Sequence, residues 1–168
     1  SVAQRDTGWV QFYVESAQEA LDTVIQAFRI AEQVLLPMMV NLDAFYVSHA
    51  LEPVSVPAQA LVDAYLPPFA PTQRLDTAQP SSWGNVVSQD MYYRHRQDIE
   101  AAMARVPALA AAADREWAGH TGRSHGVVER YRCDGANSVI VSMGSLCGTA
   151  RDAVDALRDS GLAAGLVK

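Results

Sequence analysis

The sequence predicts an α/β fold built from two strand–helix–strand units, and three observations predict it. A β-rich stretch at residues 8–14 runs straight into a helix-start signal at Ser16 and Glu19. Apolar residues then recur at helical spacing and give way, after Pro37, to the short apolar run Met38, Met39, Val40, Asn41 and Leu42. The same succession returns over the last thirty or so positions, from Ser138 to Lys168.

In the first strand, Trp9, Val10, Phe12, Tyr13 and Val14 are the aromatic and β-branched residues that suit a pleated, half-buried surface. Ser16 and Glu19 have the spacing of a capping box, in which hydroxyl and carboxylate each satisfy a backbone N–H left free at a helix start. Behind them Ala20, Leu21, Val24, Ile25, Phe28, Ala31, Val34 and Leu35 form a stripe that lies against a sheet. Pro37 ends the helix, and residues 38–42 read as a strand buried on both faces, as in parallel sheets.

Residues 48–85 form a connector carrying Pro53, Pro57, Pro67, Pro68, Pro71 and Pro80, with one short helical turn over 58–65. Leu66, Phe69 and Trp83 are expected to pin it to the body, since a free linker gains nothing from such side chains. A long helix follows over 89–117, with Pro107 expected to kink or divide it. The second unit then reads as a strand at 126–131, a buried strand at 138–142, a helix at 149–159 ended by Gly161, and a strand at 165–168.

Composition narrows the functional classes. With 49% hydrophobic and 19% charged residues among 168, the chain can bury one substantial core or two modest ones. Thirteen basic against nineteen acidic residues, a net charge of -6 and no basic block argue against a nucleic-acid partner. No apolar run approaches the ~20 residues that span a bilayer, so no membrane is expected, and the cytoplasm fits. Cys133 and Cys147 are too few and too far apart for a metal cluster. His49, His95, His120 and His125 are scattered, so no metal is assigned. The chain opens without Met and stops at Lys168 inside a strand, which reads as an internal piece of a longer protein.

Two features bear on chemistry. The turn Met143, Gly144, Ser145, Leu146, Cys147, Gly148, Thr149 joins a strand to a helix, where free N–H groups and the helix dipole suit a phosphate or other anion. It lacks the dinucleotide fingerprint and the P-loop lysine, and such turns need glycine for backbone reasons alone. Cys147 lies near that helix start without a visible base, and Ser142 and Ser145 lack a hydrolase setting. Arg94, His95 and Arg96 read as a solvated helix face. The second feature is Arg5 in Arg5-Asp6-Thr7-Gly8, a fixed guanidinium fork beside a glycine turn that can take a carboxylate bidentately, or simply pair with Asp6.

Read in order, Arg5 to Tyr13, Gln18 to Asp22, Leu35 to Val40, Asn41 to His49, Glu52 to Val54, Leu66 to Phe69 and Val141 to Thr149 resemble the alpha subunit of pyruvate:ferredoxin oxidoreductases across nearly the whole chain. The resemblance implies the C-terminal part of a thiamine-diphosphate-binding, pyrimidine-side domain (1–66), a connector and long helix (67–125), and the start of a transketolase-C-terminal-like α/β domain (126–168). It implies oxidative decarboxylation of pyruvate to acetyl-CoA, with electrons passed to ferredoxin. Its cofactors are thiamine diphosphate with Mg shared with a partner subunit, iron-sulfur clusters in partner subunits, and coenzyme A as co-substrate. Its partners are beta, gamma and delta-type subunits and ferredoxin. The family arginine that binds the substrate carboxylate maps onto Arg5. The family's activating glutamate and substrate-contacting threonine are not in this chain, so no catalytic residue is carried over and the piece alone is expected to be inactive. Asp43-Ala44-Phe45 stands where relatives carry Asp-Gly-Phe, which leaves the local backbone and substrate preference open. The alternatives are a sister oxidoreductase for an aromatic or branched 2-oxo acid, and a non-catalytic nucleotide- or acyl-carrier-binding α/β module resting on Gly144 to Gly148.

Overall fold

A computed structural model describes residues 2–71, 73–84 and 86–168. Asn85, the expected end of the connector, lies outside the described residues.

The first unit is β1 (Val10–Val14), α1 (Ala17–Val34) and β2 (Met38–Leu42), with β1 and β2 parallel and Val10, Phe12 and Val14 opposite Met38, Val40 and Leu42. Ser16 caps α1 by accepting from the Glu19 N–H at 3.2 Å. The return bond lands one residue early, because the Glu19 carboxylate accepts from the Glu15 N–H at 2.9 Å, not from Ser16. The helix stops before Pro37 acts on it: Leu35 turns left-handed (φ 56) and donates its N–H to the Ala31 carbonyl. Strand β2 is half-buried, not enclosed on both faces, and Leu42 is exposed. Among the described residues this sheet has two strands, which leaves β2 without a second neighbour.

Past the connector, which contains the short helix α2 (Gln59–Tyr65), α3 runs from Gln89 to Thr121. It continues four residues beyond the expected end and passes undivided through Pro107. The ring removes the helical donor to the Met103 carbonyl. Val106 and Ala110, buried on either side of the proline, pack with Val10, Ile30, Val34 and Ala113 in the core and hold the helix together. Gly122, at φ 72, then closes it.

The connector is pinned chiefly by a side chain not among those expected. Of the three expected, Leu66 is partly buried and Phe69 and Trp83 are about half exposed, whereas Tyr65 is fully buried. Its ring meets Trp117 edge-on at 5.0 Å, and its hydroxyl donates to the Ala113 carbonyl at 3.0 Å. The Arg29 guanidinium lies 4.8 Å over the same ring, donates to the Tyr65 carbonyl and pairs with Glu116 at 2.6 Å. Helix α2 delivers Tyr65 to the α1–α3 groove, and Pro67 and Pro68 carry the chain away again.

The second unit comprises β3 (Arg130–Tyr131), β4 (Ser138–Val141), α4 (Leu146–Asp159) and β5 (Ala164–Val167), in sheet order β3-β5-β4. Strand β4 is parallel to β5, as expected, while β3 is antiparallel and only two residues long, because Gly126 turns at φ 68 before it. Contrary to expectation, β4 is exposed along its length, as an edge strand with an uncovered face. Helix α4 starts three residues early, at Leu146, which draws Cys147 into a core with Ala150, Val154, Ala164 and Leu166. Gly165 sits where backbones nearly touch: a Cβ there would lie 2.9 Å from the Cys133 Cα and 3.0 Å from the Arg132 carbonyl oxygen. Gly165→Ala is therefore expected to destabilise the intact subunit by about 1–3 kcal/mol, since backbone must shift to admit the methyl. Urea unfolding checks this, and an unchanged midpoint would contradict the close approach.

Candidate functional site

In open α/β sheets, ligands gather beyond the carboxyl ends of the strands. Here β1 runs into Glu15, β2 into Asp43, β4 into the glycine turn and β5 into Lys168. The structure brings all four ends together. Arg151 of α4 donates to Glu15 at 3.1 Å and to Glu129 at 2.7 Å. The Lys168 ammonium donates to Glu19 at 2.8 Å and lies 3.4 Å from Glu15. Asp43 accepts from the Ser145 N–H at 2.6 Å and from the Ser145 hydroxyl at 2.7 Å.

The last pair shows what the glycine turn holds. Gly144 adopts φ +74, and a Cβ on it would come within 2.5 Å of Asp43 Oδ2. The turn is a notch shaped for an anion, and the anion is the chain's own carboxylate. The Ser145 hydroxyl and N–H hold the Asp43 carboxyl below its usual range. A phosphate placed there would meet a negative oxygen, so this geometry removes the ground for a nucleotide-binding reading of Gly144 to Gly148. The turn at Asp43 also answers the question raised by Ala44: the left-handed residue is Phe45 (φ 68), so the methyl at position 44 meets no left-handed strain. Cys147 is fully buried, and burial pushes its thiol up, which disfavours a nucleophilic thiolate.

Arg5 is not part of this gathering. It follows a 3-10 turn (Val2–Gln4) and stands before the opposite, N-terminal end of β1. Its side chain is exposed and donates to the Val2 carbonyl at 3.3 Å. Among the described residues it makes no ion pair with Asp6. Arg96, read from sequence as part of a solvated face, donates to the Asp6 carbonyl at 3.1 Å and so ties α3 to the loop carrying Arg5. That loop also packs at Gly8, whose open side lies against Ile99.

Sequence reasoning missed one cluster entirely. Asp22 of α1 is fully buried and takes the Arg123 guanidinium bidentately, both bonds at 2.8 Å, with His125 Nε2 at 3.0 Å. Asp114 of α3, also buried, accepts from the Ser124 hydroxyl and the His125 N–H. Burial pushes the Asp22 carboxyl up, but the hydrogen bonds from Arg123 and His125 outweigh it and leave the group below its usual range. The residues lie about a hundred positions apart in the chain, and no local signal connects them. Beside the cluster is a cleft of about 270 Å³ whose walls include Phe12, Val14, Val106 and Met143 and whose polar groups include His125 and Lys168.

Among the described residues no three His, Cys, Asp or Glu side chains gather as a metal site. Nor is any described helix long and apolar enough to cross a membrane.

Comparison with known proteins places this geometry. Residues 1–115 match the family described as "Pyruvate flavodoxin/ferredoxin oxidoreductase, thiamine diP-bdg", and residues 136–168 match "Pyruvate:ferredoxin oxidoreductase core domain II". The chain is 47% identical to pyruvate synthase subunit PorA of Methanothermobacter thermautotrophicus, with all of this chain and 44% of the relative covered. It is 40% identical to the Thermotoga maritima subunit of the same name, again over all of this chain and 44% of the relative. It is also 39% identical to ketoisovalerate oxidoreductase subunit VorA of Pyrococcus abyssi, over all of this chain and 43% of the relative. The chain thus spans less than half the length of these relatives.

Proposed function

The chain belongs to the pyruvate flavodoxin/ferredoxin oxidoreductase family, and from that premise we propose that it forms part of a 2-oxoacid:ferredoxin oxidoreductase in which Arg5 grips the substrate carboxylate. The supporting observation is the state of Arg5: an exposed guanidinium on an anchored loop, with one carbonyl bond and, among the described residues, no carboxylate on its fork. Pyruvate is the proposed substrate, and acetyl-CoA and reduced ferredoxin are the proposed products. The segments 1–66, 67–125 and 126–168 are proposed as domain end, connector with long helix, and start of the next domain.

The match of residues 1–115 to a thiamine-diphosphate-binding family supports a share in that cofactor's site for this chain, while the glycine turn on α4, which already holds Asp43, is not the part that takes the diphosphate. We propose that thiamine diphosphate with its Mg is shared between this chain and a partner subunit, that the iron-sulfur clusters lie in partner subunits of the beta, gamma and delta type, and that coenzyme A is co-substrate and ferredoxin the electron acceptor of the complex. Thiamine diphosphate supplies the carbanion chemistry of the whole enzyme. This chain's part is to bind and orient.

In the whole enzyme Arg5→Ala is expected to raise KM for the 2-oxo acid ten- to a hundredfold, on the order of one charge-assisted bond of about 1.5–3 kcal/mol, with thiamine binding intact. Arg5→Lys should recover only part of this, because an ammonium cannot match the bidentate fork. An unchanged KM removes the role. The similarity to a ketoisovalerate subunit favours a second reading, a branched 2-oxo acid as substrate. Assay of the complex with pyruvate, a branched and an aromatic 2-oxo acid decides between them: the highest kcat/KM is expected for pyruvate.

A further inference from the structure

Two cores share this chain, and no apolar cluster of described residues bridges them. One is built on Val10, Ile30, Val34, Val106, Ala110 and Ala113, and the other on Cys147, Ala150, Val154, Ala164 and Leu166. Where they face each other, the contacts are polar: Arg151 with Glu15, Lys168 with Glu15 and Glu19, and Ser145 with Asp43. Beside these lies open space, the cleft bounded by Phe12 and Val14 from one unit and by Met143 and Lys168 from the other. Interfaces of this polar kind allow domains to move relative to one another.

The chain between the units supplies a matching pivot. Arg123, Ser124 and His125 are fastened to the first unit by the buried carboxylates of Asp22 and Asp114. Glu129 is fastened to the second by paired backbone bonds with Lys168, at 3.1 and 3.0 Å. Only Gly126, Val127 and Val128 lie between these two anchorages. Gly126 is left-handed at φ +68, and no side chain approaches the place where its Cβ would be. Val127 and Val128 are exposed.

We propose that the two units form a hinge that pivots at residues 126–128 and is held shut by charge across the strand ends. Opening separates Asp43 from Ser145 and widens the cleft beside β1, giving entry to the region where α/β folds place ligands. The paired charges are partly buried and screened little while closed, but opening exposes them. At 1 M salt, where the screening length falls from about 10 Å at 0.1 M to about 3 Å, the separated charges are stabilised; added salt therefore favours opening while leaving the apolar cores intact.

The test uses the full subunit in its complex and reads backbone amide exchange, which needs no turnover and so stands apart from the substrate reading. Between low and 1 M salt, the Ser145 amide is expected to exchange about tenfold faster, the change corresponding to the loss of one charge-assisted bond. The amides of Ile30 and Leu166 should not change. Arg151→Met should speed Ser145 exchange at low salt and blunt its response to added salt. Ser145 exchange that ignores both salt and Arg151→Met overturns the proposal. Exchange that rises together at Ser145, Ile30 and Leu166 overturns it too, because the units would then open by unfolding.

Discussion

Replacing Asp22 with Asn is expected to lower the stability of the intact subunit by about 3 kcal/mol, the lower end of the cost of breaking a buried ion pair. Asp22 is wholly enclosed, while Arg123 keeps about a quarter of its side chain in water, so the stranded guanidinium is partly rehydrated. The loss also reaches His125, whose ring nitrogen lies 3.0 Å from the same carboxylate. The pH dependence has a definite sign. The folded carboxyl lies below its ordinary value, so its contribution is complete above the unfolded pKa, near 3.9, and disappears as pH falls through the folded one. The gap between wild type and Asp22→Asn, measured by urea unfolding, should be full at neutral pH and narrow below about pH 4. A gap that is absent at pH 7 would mean that the bond contributes nothing to stability.

Trp117→Ala is expected to cost about 3–5 kcal/mol, the range for emptying a large aromatic site. Trp117 is completely buried and packs against Tyr65, the fully buried anchor among the described residues of the connector. Losing the indole should therefore do more than open a cavity: it should free the proline-rich course after Leu66, and limited proteolysis should show new cuts between residues 66 and 88. Trp117→Phe is a sharp control. The indole N–H has no hydrogen-bond partner among the described residues, so the smaller ring loses volume but no bond and should cost far less. Equal losses for Phe and Ala would indicate that the N–H is bonded after all.

Much of the fold was legible because its signals are local. A capping pair at Ser16 and Glu19, a 3.6-residue stripe and a proline marked the first unit, and the parallel pairing of β1 with β2 follows from them. What could not be read depended on tertiary placement. Tyr65 and Phe69 look equally suited to pin a connector, and only the last turn of α2 decides which one reaches the α1–α3 groove. The burial expected for β4 failed because an apolar run does not reveal whether a second layer covers it. The glycine turn offered donors suited to an anion beside a purely backbone reason for its glycines, and nothing local pointed to the anion it holds, since Asp43 lies about a hundred residues upstream. The same distance hid the carboxylate of Asp22 from Arg123.

The strand order of the second sheet sets a timetable for synthesis. Strand β5 lies between β3 and β4, so among the described residues neither earlier strand has a sheet partner until residues 164–167 leave the ribosome. Pairing of β1 with β2, by contrast, involves only residues already made by position 42. During elongation the apolar positions of β4 and α4 therefore wait uncovered beside a nascent first layer. That interval is when a holding chaperone, or mispairing with a neighbouring polypeptide, has its best opportunity.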